Sequence, residues 1–178
     1  LVNKDNEKDL AWMISKIKHY LKEIIYFVII ITIFSNVISL YKSQNLSDAP
    51  LHIKSFELLN NKTYILHDNK PILVHFWATW CPTCKLEASN IEFLSKYFEV
   101  ITIAVNSKDN QTIQAYLDDH DYSFNVVNDN NNILASQFKI IGLPTTFIYD
   151  KNKKLVFSDV GYSSTFSLYL KMLWAGMH

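Results

Sequence analysis

The chain has two cysteines, Cys81 and Cys84, and they stand two residues apart in the run His75-Phe76-Trp77-Ala78-Thr79-Trp80-Cys81-Pro82-Thr83-Cys84. No other feature constrains it as much. Upstream, residues 71–77 form a mostly apolar run of strand-forming residues, which predicts a buried strand. Downstream, Ala88, Ile91, Leu94 and Phe98 recur at helical spacing, which predicts a helix to about Phe98. A C-x-x-C at a strand-to-helix junction places its first sulfur where the N-terminal amides and the helix dipole favour negative charge. The thiolate is the species that attacks disulfides. Cys81 is therefore expected at an exposed helix start as the nucleophile, with its pKa below ~8.5 and within roughly 3.5–7.5. Cys84, one turn further, is expected to be buried and to close the redox-active ring.

Other uses of the pair are constrained by what surrounds it. Two cysteines this close cannot staple a whole domain, so they are redox-active, metal-binding or incidental. A zinc site wants four ligands, and no second Cys pair or His cluster exists in the sequence. Covalent haem needs His after the second cysteine, where Lys85 stands. Binding of Cu(I) by the two thiolates remains the alternative from another class. The residues imply no cofactor and no resident metal. With zero net charge and no basic patch interleaved with aromatics, nucleic acid is not an expected partner.

Apolar content of 49% is enough to fill the core of one domain in 178 residues. Residues 1–23 are polar, with Lys16, Lys18 and Lys22 near their end, and residues 24–41 carry no charge. That run approaches the ~20 apolar residues that span a bilayer. A cleaved signal peptide predicts a shorter apolar core and a small-x-small site, which Ser-Asn-Val-Ile-Ser matches poorly. Lysines concentrate on the N-terminal side, which predicts a cytoplasmic tail (1–23), a lipid-embedded anchor (24–41), a linker (42–50) and an extracytoplasmic domain (51–178).

Within 51–178, strand-like and helical runs alternate and end in a hairpin, which predicts an α/β domain with a mixed sheet. Two short strands flank Asn60-Asn61-Lys62. Strands are expected at residues 72–77, 100–106, 124–127, 145–149 and 155–158. Ile113, Tyr116, Leu117 and His120 mark one face of a helix, and a short helix follows Asn130-Asn131-Asn132. Ser163 or Ser164 caps a last helix whose Phe166, Leu170, Leu173 and Trp174 form an apolar stripe, read as core.

The string Phe76-Trp77-Ala78-Thr79-Trp80-Cys81-Pro82-Thr83-Cys84 resembles the active site of the thioredoxin superfamily, and within it the membrane-tethered TlpA/ResA-like thiol:disulfide oxidoreductases. The ending Gly161-Tyr162-Ser163-Ser164 through Leu173-Trp174-Ala175 is similar to the suppressor-of-copper-sensitivity D (ScsD) sub-branch, and the similarity covers roughly residues 49–176. The resemblance implies a thioredoxin-like fold with an added N-terminal β-hairpin and a cis proline at Pro144, in Gly142-Leu143-Pro144-Thr145-Thr146. It implies that this loop keeps metal from the sulfurs and that the Leu143 backbone pairs with an extended substrate. Substrate contacts are expected at Trp80, Pro82, Thr83, Leu143, Pro144 and Thr145.

Glu87 matches a glutamate that tunes the thiols in ResA-like proteins; its bland alternative is a solvated helix residue. His75 departs from thioredoxin, which has a proton-shuttling aspartate there. An imidazole can serve the same purpose, or simply pack with one hydrogen bond. The family further implies protein thiol/disulfide substrates and a membrane electron donor of the DsbD/CcdA type. The expected activity is protein disulfide reduction, with oxidase or isomerase action as the reverse use of the same site.

Overall fold

The computed structural model describes residues 12–14, 16–27, 29–30 and 51–177. Two compact units divide the chain, Leu1–Leu40 and Tyr41–His178. In the first, the described residues are helical and exposed. Among the described residues no helix is long and apolar enough to cross a membrane. Of the expected anchor at 24–41, positions 24–27 and 29–30 are helical and the rest lies outside the described residues, as does the linker at 42–50.

The second unit opens with a two-stranded antiparallel hairpin, β1 (Ser55–Glu57) and β2 (Thr63–Ile65). There follow β3 (Ile72–Trp77), α1 (Pro82–Ser95), β4 (Glu99–Val105), α2 (Asn110–Asp119), β5 (Asn125–Asp129), α3 (Ile133–Gln137), β6 (Thr145–Tyr149), β7 (Leu155–Val160) and α4 (Thr165–Met177). The five-stranded sheet has the order β5-β4-β3-β6-β7. β3, β4 and β5 are parallel, while β6 and β7 are antiparallel additions. This is a thioredoxin-like α/β architecture, as expected.

Every residue of β3 is buried because both faces of the central strand are covered, which explains its unbroken apolar reading. The crossovers through α1 and α2 step in the same direction along the sheet, and right-handed connections then put both helices on one face. Ile91 and Leu94 of α1, Ile113 and Leu117 of α2, and Leu168, Met172 and Ala175 of α4 pack there against Leu73, Trp77, Val100 and Ile148. The other face packs Val74, Phe76, Ile101, Ile103 and Phe147 against Phe138, Ala135 of α3 and Phe56 of the hairpin.

One expectation needs correction. The stripe Phe166, Leu170, Leu173 and Trp174 is not core: these residues are 40–73% exposed, and Leu168, Met172 and Ala175 face the sheet instead. α4 is apolar nearly all round, so periodicity could not select its inner face. The short helix expected after the asparagines of residues 130–132 is α3, capped from further upstream. The Asp129 carboxylate accepts the Leu134 and Ala135 amides, while Asn132 adopts a left-handed conformation with no side-chain cap bond.

Candidate active site

Cys81 is the N-cap of α1, with extended backbone, and Pro82 follows in the first turn, where a missing N–H costs nothing. The Cys84 amide donates to Cys81 Sγ at 3.2 Å, so one of the orphan amides of the helix start is satisfied by the sulfur. Cys81 and Cys84 form a disulfide with a Cα–Cα distance of 5.2 Å. Cys84 is buried as expected. Cys81 is not at an exposed position: it is only 5% exposed, because both sulfurs join the cluster under α1. Pro82 is exposed and Thr83 half-buried.

Trp80 is 59% exposed, held by its indole N–H donating to the Asn106 carbonyl at 3.0 Å. Trp77 is core, its indole N–H bonded to Thr102 Oγ1 at 3.1 Å. The Leu143–Pro144 bond is cis. Half-buried Leu143 packs against the cluster that contains both cysteines, so this loop and the C-x-x-C are brought together. Pro144 is buried, and its carbonyl accepts the Gly161 amide at 2.8 Å. Thr145 is a correction: it is fully buried, and its hydroxyl donates to the Gly142 carbonyl at 2.7 Å. It shapes the loop and offers no side chain to a substrate.

Glu87 is completely buried, which removes the solvated reading. Neither carboxylate oxygen has a hydrogen-bond partner at acceptable geometry. Burial pushes its carboxyl up to about 8; the neighbouring Ser163 amide works against the rise and the Asp159 carboxylate adds to it. Asn90, on the next turn, stitches α1 to the same loop by donating to the Ser163 carbonyl and accepting from Thr165. Glu87 therefore faces the junction of β7 and α4.

His75 is 2% exposed, and its Nδ1 lies 2.9 Å from Thr146 Oγ1. Burial pushes its pKa down to about 3. The imidazole lines a narrow gap with no room for a water molecule, together with Trp77, Cys84, Ala88, Ile91 and Phe124. His75 and Cys84 thus share one internal space. Lys85 is exposed. Among the described residues no group of three or more His, Cys, Asp or Glu side chains is arranged to hold a metal.

Sequence reading missed Thr146 and Thr102, which flank His75 on the two neighbouring strands, and Asp159, which pairs with Thr146 one strand further on. Their signal was alternation: each is the polar residue on the inner face of an otherwise apolar strand, but only strand register shows that they align.

Residues 48–158 match the AhpC/TSA family. A thioredoxin-like protein of Haemophilus influenzae is 32% identical over 111 residues, covering 62% of this chain and 66% of that protein. The thiol-disulfide oxidoreductase ResA of Oceanobacillus iheyensis is 27% identical over 93 residues, covering 49% of this chain and 48% of its own length. The chain thus spans from about half to just under two thirds of the length of these relatives. The crystal structure of a DsbF homologue from Corynebacterium diphtheriae superimposes with a TM-score of 0.64 at 20% identity, covering 71% of this chain and 86% of that one, which supports the fold.

Proposed function

The chain belongs to the AhpC/TSA family, and from that premise we propose that it is a membrane-tethered, extracytoplasmic protein thiol:disulfide oxidoreductase acting as a reductase. The observation that carries this reading is the Cys81–Cys84 pair at the start of α1, packed against the Leu143 loop. In the reduced protein the Cys81 thiolate attacks a substrate disulfide; one substrate sulfur leaves as a thiolate and a mixed disulfide forms. The Cys84 thiolate then attacks Cys81 Sγ, which restores the ring and releases the second substrate sulfur.

The other residues take the roles their positions support. Exposed Trp80 and Pro82, with Thr83, meet the substrate on one side of the sulfurs, and the Leu143 backbone at Pro144 meets it on the other. His75 takes up the proton of Cys84 across their shared gap, and buried Glu87 tunes the thiols from the side of α1 that faces the β7–α4 junction. The uncharged run at 24–41 anchors the chain in the cytoplasmic membrane, with residues 51–178 outside. Electrons return through a membrane donor of the DsbD/CcdA type, and the chain end at residues 161–175 supports an ScsD-like placement.

Insulin reduction by the full chain tests the reading. Cys81→Ser is expected to abolish turnover, while Cys84→Ser is expected to accumulate a mixed disulfide visible on non-reducing gels. Wild-type rates in Cys81→Ser would remove the mechanism.

A further inference from the structure

One polar side chain from each of four neighbouring strands lies in a single row on the sheet face beneath α1. Asp159 of β7 pairs in register with Thr146 of β6, Thr146 with His75 of β3, and His75 with Thr102 of β4. Directly paired residues point to the same face, with Cβ atoms about 4.5–5.5 Å apart in the antiparallel pairs. Around the row that face is mostly apolar, with Leu73, Trp77, Val100, Ala104 and Ile148. A buried polar row in an apolar face costs stability unless it is satisfied or used.

The row has a closed end and an open end. Thr102 is the closed end, since its hydroxyl accepts from Trp77 and donates to the Asn125 carbonyl. Asp159 is the open end. Its side chain is 19% exposed, and it is gripped by Lys171 Nζ of α4 at 2.6 and 2.8 Å. His75, in the middle, joins the gap beside Cys84 to Thr146.

We propose that Thr146 and Asp159 extend the proton route of the resolving cysteine, carrying its proton from His75 along the sheet to solvent at the Asp159–Lys171 pair. This deepens the reductase reading and rests on it. In the resolving step the Cys84 thiol gives its proton to His75 Nε2, and the sulfur attacks Cys81 Sγ. The Cys81–substrate bond breaks, and the released substrate thiolate takes a proton from water. As Nε2 takes the Cys84 proton, His75 gives up the proton on Nδ1 to Thr146 Oγ1 and the Thr146 hydroxyl proton passes to the Asp159 carboxylate and on to water, so that the imidazole stays neutral. No electrons move along the row. Deep burial holds the imidazole neutral, which suits a group that passes a proton on rather than keeps it. The charged and titratable groups facing this route are Cys84 and Glu87 on α1, Asp159 on β7 and Lys171 on α4.

The route requires His75 to carry its resting proton on Nδ1, donating to Thr146, so that Nε2 is free to accept. Nitrogen-15 NMR of the full chain in its reduced, dithiol form reads that tautomer without reference to activity, and an Nε2-protonated imidazole in that form would overturn the proposal. Stopped-flow reduction of a fluorescent peptide disulfide separates attack from resolution. Thr146→Val and Asp159→Asn are expected to slow resolution relative to attack by about tenfold or more, as for a lost proton-transfer group. Thr146→Ser is expected to restore the ratio, and the solvent deuterium effect on resolution is expected to fall in the two impaired variants. An unchanged resolution-to-attack ratio in both would overturn the proposal while leaving the reductase reading intact. A wild-type chain with the expected tautomer but no disulfide reduction would overturn the reductase reading and the route that rests on it.

Discussion

His75 Nδ1 and Thr146 Oγ1 meet at 2.9 Å in the middle of a polar row that crosses a mostly apolar sheet face. The bond satisfies the imidazole in its neutral form, and burial pushes its pKa down from 6.5 to about 3. The unfolded chain binds a proton at this residue below about pH 6.5, whereas the folded chain does not until about pH 3. Stability from this group is therefore present at neutral pH and lost as the pH falls from 6.5 to 3, by up to a few kcal/mol. Urea titrations between pH 7 and 4 are expected to show that loss in the wild type and a flatter profile in His75→Leu. An equally steep acid loss in the variant would show that His75 protonates freely in the fold.

Glu87 acts with the opposite sign. Its carboxyl ordinarily ionises at 4.5 and in the fold near 8, because burial dominates the smaller influences of Ser163 and Asp159. Between those values the unfolded chain loses this proton and the folded chain keeps it. Stability from Glu87 is therefore complete below pH 4.5 and lost as the pH rises through 8. Glu87→Gln, which keeps the neutral shape, is expected to unfold at higher urea than the wild type at pH 8, by on the order of a few kcal/mol. The two proteins are expected to converge at pH 4. A variant no more stable than the wild type at pH 8 would mean that the carboxylate finds compensation when ionised.

Much of this was legible in the sequence. The strand at 72–77, the helix after Cys81 and the hairpin expected at 145–158 stand where apolar runs and turn residues put them, although α1 ends at Ser95 rather than near Phe98 and β7 runs on to Val160. Cys81 is less exposed than its helix-start position suggests, because burial depends on how the sulfurs pack into the cluster beneath α1. The inner face of α4 was not legible, since Phe166 and Leu168 are equally apolar and only packing decides between them. Glu87 read either as a carboxylate that tunes the thiols or as a solvated helix residue, because its environment comes from the end of β7 and the start of α4, more than seventy residues on. The alignment of His75, Thr146 and Asp159 needed the register of three strands, which no local pattern carries.

Thr145 gives a test that separates loop shape from substrate contact. Its hydroxyl is buried and spent on the Gly142 carbonyl, so Thr145→Ala removes one internal hydrogen bond from the loop that holds Leu143 and Pro144. The expected cost is about 1 kcal/mol of stability, read as a shifted denaturation midpoint. The KM for a peptide disulfide is expected to stay within about twofold. Trp80→Ala is expected to do the reverse, since its ring is mostly exposed and bound only to the Asn106 carbonyl: KM rises and stability barely changes. A large KM effect in Thr145→Ala with no loss of stability would return Thr145 to the substrate surface.

The direction of electron flow rests on the relative stability of the dithiol and the disulfide. The Cys84 amide donating to Cys81 Sγ and the helix start behind it favour a Cys81 thiolate, which stabilises the reduced form and raises the potential. Burial of both sulfurs works against a charged thiolate and holds the potential down. No acidic residue stands in the first turn of α1 and Lys85 faces water, so no close ion pair tips the balance. The potential is therefore expected near the thioredoxin value of about −270 mV, measured by thiol trapping in dithiothreitol buffers. At that value the reduced protein can reduce substrate disulfides and needs a supply of electrons, as the proposed membrane donor provides. A potential near −120 mV, that of a strong oxidant, would reverse the assignment and make the same two sulfurs an oxidase or isomerase site.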